Sequence, residues 1–215
     1  MVMLFLIRHG ENDYFKDGRL PGRLPGVHLN DRGRQQAEAI ALSLGPVPFK
    51  AVYASPLERA RETAEPLAAA RSLEVRILPE LADIEVGEWT GRRWKSLQRT
   101  PAWKTVQDHP SQFRFPGGES FTEVQQRIVE ALEAVRSACG VRGAAAVIFH
   151  ADPIKLALAH YLGQPLDAFQ RLQVRPGSLS LLALNGGRIQ ILGVNWLPPF
   201  SLPAFPQASR RSAVR

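Results

Sequence analysis

Apolar runs of strand length alternate with amphipathic stretches of helical length, and this alternation constrains the fold more than any other feature of the chain. Strand candidates span 2–7, 50–53, 74–78 and 145–149, and a final pair, 178–184 and 188–194, flanks "NGG" as a hairpin would. Helix candidates span 31–44, 56–71, 121–139 and 153–162; in the first, Ala37, Ile40, Ala41 and Leu44 fall at helical spacing. Strands separated by helices predict an α/β fold, a three-layer α/β/α sandwich around a mainly parallel sheet. Strands of such a sheet are covered on both faces, which fits the unbroken apolar runs.

Two helix starts carry cap signals directly after strands. "SPLE" at 55–58 offers Ser55 as an N-cap, Pro56 at the first helical position and a glutamate three residues after the cap. "DP" at 152–153 repeats the cap-then-proline pattern, and Gly163 followed by Pro165 closes that helix.

The 215 residues include one cysteine, Cys139, so no internal disulfide is expected and no oxidising compartment is needed. The apolar start is too short and badly flanked for a signal peptide, and no segment is long enough to span a bilayer. A cytoplasmic location and no membrane partner follow as expectations. The formal charge of +7 calls for an anionic ligand. The basic residues are scattered among Asp and Glu rather than clustered beside stacking aromatics, which argues against a nucleic-acid partner. Residues 1–196 read as one domain, and 197–215 as a proline-rich basic tail.

Ligands of open α/β sheets bind beyond the carboxyl ends of the strands, so the residues after each strand are the candidate site. After the first come Arg8, His9, Gly10 and Glu11; after the second comes "SPLERARETA" with Arg59; after "AAAVIF" comes His150. Two arginines present planar forks to phosphate oxygens, and helix N-termini add backbone N–H groups. Nearby cations keep an imidazole neutral and therefore nucleophilic. Attack on phosphorus would give a phosphohistidine, the other basic groups would hold the equatorial oxygens, and a carboxylic acid would protonate the leaving alcohol. That chemistry requires no metal and no cofactor. Dinucleotide, Walker, serine-elbow and zinc signatures are absent from the sequence.

These motifs resemble the histidine phosphatase superfamily, in its phosphoglycerate mutase-like branch. They are "LIRHGE", "LNDRGRQQA", "SPLERARETA", "GEWTG", "PGGES" and "VIFHAD", in family order over about the first 195 residues, a span typical of one domain. The resemblance implies the phosphoglycerate mutase-like fold, His9 as the phosphorylated nucleophile, and Arg8, Arg59 and His150 as the phosphate pocket. The family's proton donor is a glutamate before the Gly-x-Trp turn. In "LADIEVGEWTG" the matching position is Asp83, one methylene shorter, and Glu85 shares its parity along an extended segment. Asp83 is favoured because its register to Gly87 and Trp89 needs no gap. The family often places an asparagine six residues beyond the nucleophile; Phe15 stands there, and Asn12 is the candidate substitute. Ala151 replaces the glycine that usually follows the second histidine and still offers its backbone N–H.

A phosphatase and a mutase share the phosphohistidine and differ in the lid. The lid candidate, 92–115, is short for a mutase, which favours a phosphomonoester hydrolase acting on a small molecule over phosphoryl transfer within a sugar acid. Its Trp94, Trp103, Phe113 and Phe115 either pack the lid onto the domain or face an apolar or aromatic leaving group. "RLPGRLPG" at 19–26 would edge the site, with Arg19 or Arg23 meeting a second anionic group of the substrate. A silent phospho-ligand binder is the alternative from another class. Monomer and homodimer both remain open.

Overall fold

The computed structural model describes residues 1–202. In chain order the elements are β1 (Val2–Arg8), α1 (Asp13–Lys16), α2 (Asp31–Ser43), β2 (Ala51–Ala54), α3 (Glu58–Ala69), β3 (Val75–Ile77), α4 (Trp94–Leu97), α5 (Pro101–Asp108), α6 (Phe121–Cys139), β4 (Ala144–Phe149), α7 (Ala151–Leu162), β5 (Leu179–Asn185) and β6 (Arg188–Trp196). The six strands form one sheet in the order β3-β2-β4-β1-β5-β6. β3, β2, β4 and β1 run parallel, and the β5–β6 hairpin adds antiparallel to β1.

Side chains of β1 alternate between two cores, as the period of two along a strand requires. Leu4 and Leu6 join α6 and α7 residues such as Val124, Ile128 and Leu156 on one face. Met3, Phe5 and Ile7 join Ile40 of α2 and Ala64 and Leu67 of α3 on the other. The result is the expected α/β/α sandwich. Phe200 and Leu202, at the start of the proline-rich tail, pack against the second core. The remainder of that tail, 203–215, lies outside the described residues.

Both cap readings need correction. α3 starts at Glu58 with Leu57 in the cap position and no side-chain cap. The Ser55 hydroxyl is drawn instead to His150 Nε2 at 2.8 Å, although the Leu57 amide also reaches it at 3.3 Å. α7 starts one residue before Asp152, with His150 in the cap position. Pro153 fits inside the first turn because N–H groups there have no intrahelical acceptor to lose. The helix therefore opens directly on the end of β4. By contrast, α6 spans the expected 121–139 and starts with a reciprocal Ser120–Glu123 capping box.

Candidate active site

Strand register builds the site. β1 and β4 pair so that Arg8 lies opposite Phe149, and the His9 amide donates to the Phe149 carbonyl at 3.0 Å. β2 and β4 pair with Ala54 opposite Ile148, and the Ser55 amide donates to Ile148 O at 2.9 Å. Three neighbouring strand ends thus deliver His9, Ser55 and His150 to one edge of the sheet. Arg59 arrives from the first turn of α3, fully buried.

Two glycines let α2 close against the loop after β1. A Cβ on Gly10 would stand 2.6 Å from Gly33 O, and one on Gly33 would stand 2.1 Å from Glu11 O. Thr63 of α3 then fixes the loop: its hydroxyl accepts from the Gly10 amide at 3.0 Å and donates to Arg59 O at 2.7 Å.

His9 is buried, and its Nδ1 lies 2.7 Å from Gly10 O. A carbonyl only accepts, so Nδ1 carries the proton and the lone pair sits on Nε2. Burial, then the charges of Arg59 and Arg8, hold the His9 pKa well below the ordinary histidine value of 6.5. His150 is pushed down the same way, chiefly by burial and then by Arg59, His9 and Arg8. Both rings are neutral at neutral pH. With Ser55 donating to His150 Nε2, the Nδ1–H faces the Asp83 carboxylate, 3.6 Å from Oδ2.

Arg8 donates from Nη1 to Val174 O at 2.7 Å, and the Phe15 ring covers its guanidinium at 4.8 Å. Burial lowers its pKa to about 10, which leaves it a cation at neutral pH. Arg59 Nη2 donates to Gly22 O at 2.8 Å and to Asp83 Oδ2 at 3.1 Å. What remains unpaired is the informative part. Arg8 Nε, Arg59 Nε and Nη1, Asn12 Nδ2 and His150 Nδ1 are all buried without a hydrogen-bond partner in the protein. Arg8 and Asn12 line the cavity with His9 and Asp83, whereas Arg59 and His150 do not line it and reach it through Asp83, so the five donors make a cradle for an anion rich in oxygen atoms. Asn12 Oδ1 is committed, capping α1 by accepting from the Phe15 amide at 2.9 Å.

Asp83 and Glu85 part company. Asp83 lines the cavity with its side chain 21% exposed, and burial raises its carboxyl above the ordinary 3.8 despite the opposing pull of Arg59. Glu85 is not among the lining residues; its carboxylate, 38% exposed, turns to the Gly87 amide at 3.3 Å and to Arg23 at 3.9 Å. Arg23 is equally occupied: Nε donates to Asp83 O at 2.7 Å and Nη2 to Glu119 Oε2 at 2.9 Å, and it does not line the cavity. Arg19 does, with Nη1 on Gly91 O at 3.2 Å. Ala151 lines it as well, at the N-terminus of α7.

Sequence reasoning missed three participants. Ser55, expected as a helix cap, instead orients His150. Arg127 of α6 donates to Ala82 O at 3.1 Å and to Glu80 O, holding the segment that carries Asp83. Glu119 gathers Arg23, both an Nε and an Nη2 contact from Arg127, and the Glu85 amide. Its place in "PGGES" was the available signal.

The cavity measures about 570 Å³. His9, Arg8, Asn12 and Asp83 line it together with an aromatic wall of Trp89, Trp94, Trp103, Phe115 and Phe121 and with the basic Lys155, Arg171 and Arg175. Phe113 packs behind that wall, 5.0 Å from Phe115 and 5.4 Å from Trp89 between ring centroids.

Residues 4–197 match the histidine phosphatase superfamily (branch 1), and the chain belongs to that family. Phosphoserine phosphatase 1 of Hydrogenobacter thermophilus is 30% identical over 197 residues, covering 91% of this chain and 92% of the relative. A 2,3-bisphosphoglycerate-dependent phosphoglycerate mutase of Thermoplasma acidophilum is 28% identical over 197 residues, covering 90% and 92%. The crystal structure of the alpha-ribazole phosphatase from Shigella flexneri superposes with a TM-score of 0.80 at 29% identity, covering 90% of this chain and 96% of that one. The relatives thus include both phosphatases and mutases, on the fold described above.

Proposed function

We propose that the protein is a metal-independent phosphomonoester hydrolase acting through a phosphohistidine on His9. The cradle of unpaired donors from Arg8, Arg59, Asn12 and His150 carries the reading, because it matches the oxygens of a transferring phosphoryl group beside a neutral imidazole. His9 Nε2 attacks phosphorus as the ester P–O bond breaks, and the leaving oxygen takes the proton of the Asp83 carboxylic acid. A water then gives its proton to the Asp83 carboxylate and attacks phosphorus. The P–N bond breaks, its electrons return to the imidazole, and phosphate leaves. The raised Asp83 pKa supports the acid role, and its closeness to Arg59 and His150 sets it beside the proposed phosphate donors. The single cysteine and the lack of any helix long and apolar enough to cross a membrane, among the described residues, fit a cytoplasmic enzyme.

The test is phosphate release from p-nitrophenyl phosphate in excess EDTA at about pH 6, close to the ordinary histidine pKa. Activity in the native protein that disappears in His9→Ala is the expected result. Activity that survives the substitution would remove His9 from the reaction. No activity in the native protein, restored for phosphoglycerate by a bisphosphate primer, would make it a mutase; no turnover under either condition would make it a binder.

A further inference from the structure

We infer that the physiological substrate is the phosphate ester of an alcohol carrying a planar aromatic ring, held by the indole wall of the lid. The inference rests on the phosphatase reading above and names the leaving group for the same site.

Cavity size is the first argument. About 570 Å³ lies in the range of sites that enclose a drug-sized ligand, far more than a phosphate with a three-carbon acid needs. Chemistry of the wall is the second. Trp89 and Trp103 lie nearly parallel, 6.4 Å apart between centroids, and Trp94 meets Trp103 edge-on at 5.6 Å. All three line the cavity, Trp89 buried and Trp94 and Trp103 only half-buried. Phe113 is buried with Phe115 and Phe121 in the core and does not line the cavity. A lid that needed aromatics only for packing would not leave two indoles facing the cavity. A planar ring laid against them gains offset or edge-on contacts in addition to apolar burial.

Leu20, Ile84, Val86 and Val106 add apolar surface to the same lining, and Arg19, Lys155, Arg171 and Arg175 supply cations around it.

Hydrolysis of 2-(1-naphthyl)ethyl phosphate, n-propyl phosphate and O-phosphoserine tests the inference, since the first two alcohols are similarly poor leaving groups. We expect kcat/KM for the naphthyl ester to exceed that for the propyl ester by at least about tenfold, as apolar pockets discriminate. Trp94→Leu and Trp103→Leu should each collapse that ratio toward one. A native ratio near one, phosphoserine as the best of the three, or a ratio retained in both variants would overturn the inference while leaving the phosphatase reading intact. The native ratio decides even where a variant does not fold. Should no ester be hydrolysed, the phosphatase reading fails separately. Tryptophan fluorescence titrated with the naphthyl and propyl esters then decides: tighter binding of the naphthyl ester supports the aromatic pocket, and equal binding overturns it.

Discussion

The rings of His9 and His150 stand 5.1 Å apart, tilted by 58°, at the ends of two adjacent parallel strands. Their pairing follows from register, because the His9 amide continues the ladder onto the residue just before His150. A nucleophile placed by a sheet ladder needs no further ordering when the phosphate arrives. That preorganisation is what electrostatic stabilisation of the transition state requires.

Neutral burial of both rings makes stability depend on pH. Unfolded, each imidazole protonates near 6.5; folded, each protonates only at markedly lower pH because of burial and the two arginines. Between those limits the unfolded chain binds more protons, so the contribution is complete above the unfolded pKa and is lost as pH falls toward the folded one. Urea midpoints should fall between about pH 7.5 and 5.5, and more gently in His150→Gln. Identical slopes for the two proteins would show that His150 titrates as it does in the unfolded chain.

Asp83 should set the alkaline side of the rate profile. Its carboxyl is raised above 3.8 by burial, and a general acid works only while protonated. Turnover of an alkyl phosphate should therefore fall as pH rises through the folded Asp83 pKa. Asp83→Asn should abolish that limb and lower kcat by about 10²–10⁴-fold for alkyl phosphates. With p-nitrophenyl phosphate the loss should be much smaller, since that leaving group departs unprotonated. Equal losses for both substrates would shift the acid role elsewhere, and Glu85 is badly placed to take it.

The contact between Gly33 and Glu11 gives a prediction that concerns α2 rather than the reacting groups. A methyl at position 33 would sit 2.1 Å from Glu11 O, so Gly33→Ala must push α2 and the loop after His9 apart. Overpacking of this kind costs about 1–3 kcal/mol. Thermal unfolding should show the loss directly. Because Glu11 is two residues from the nucleophile, kcat should fall as well. A variant with native stability would mean that α2 can slide without cost.

Legibility followed burial and locality. β1 and β4 were readable because coverage on both faces leaves an unbroken apolar run, and α6 because its cap and apolar spacing agree. The edge strand β3 shrank to Val75–Ile77, where two of the three residues are exposed and the apolar signal is weak. α5 lay outside the expected helices although Thr100 and Pro101 offer the same cap-then-proline pattern as Ser55 and Pro56. At Ser55 the pattern fails, because a hydroxyl at a strand end beside His150 has a competing partner that local sequence does not reveal. The Arg127 contacts to the Asp83 segment were illegible for a related reason: their acceptors there are the backbone carbonyls of Glu80 and Ala82, and any residue supplies those.

Glu119 and Arg127 provide the last prediction, since neither lines the cavity yet both hold the segment that carries the acid. Arg127 donates to Ala82 O, Arg23 donates to Asp83 O, and Glu119 accepts from both arginines and from the Glu85 amide. Arg127→Met keeps much of the side chain's length and removes the donors. Each hydrogen bond to a charged group contributes about 1.5–3 kcal/mol, and the partial exposure of these groups places the loss at the lower end. The catalytic signature should be selective. A loosened Asp83 segment misplaces the proton donor, and a displacement of about 1 Å can cost roughly a hundredfold in rate. Arg127→Met should therefore lower kcat for alkyl phosphates far more than for p-nitrophenyl phosphate, with KM little changed. A uniform loss across both substrates would mean that Arg127 supports the fold as a whole and does not position Asp83.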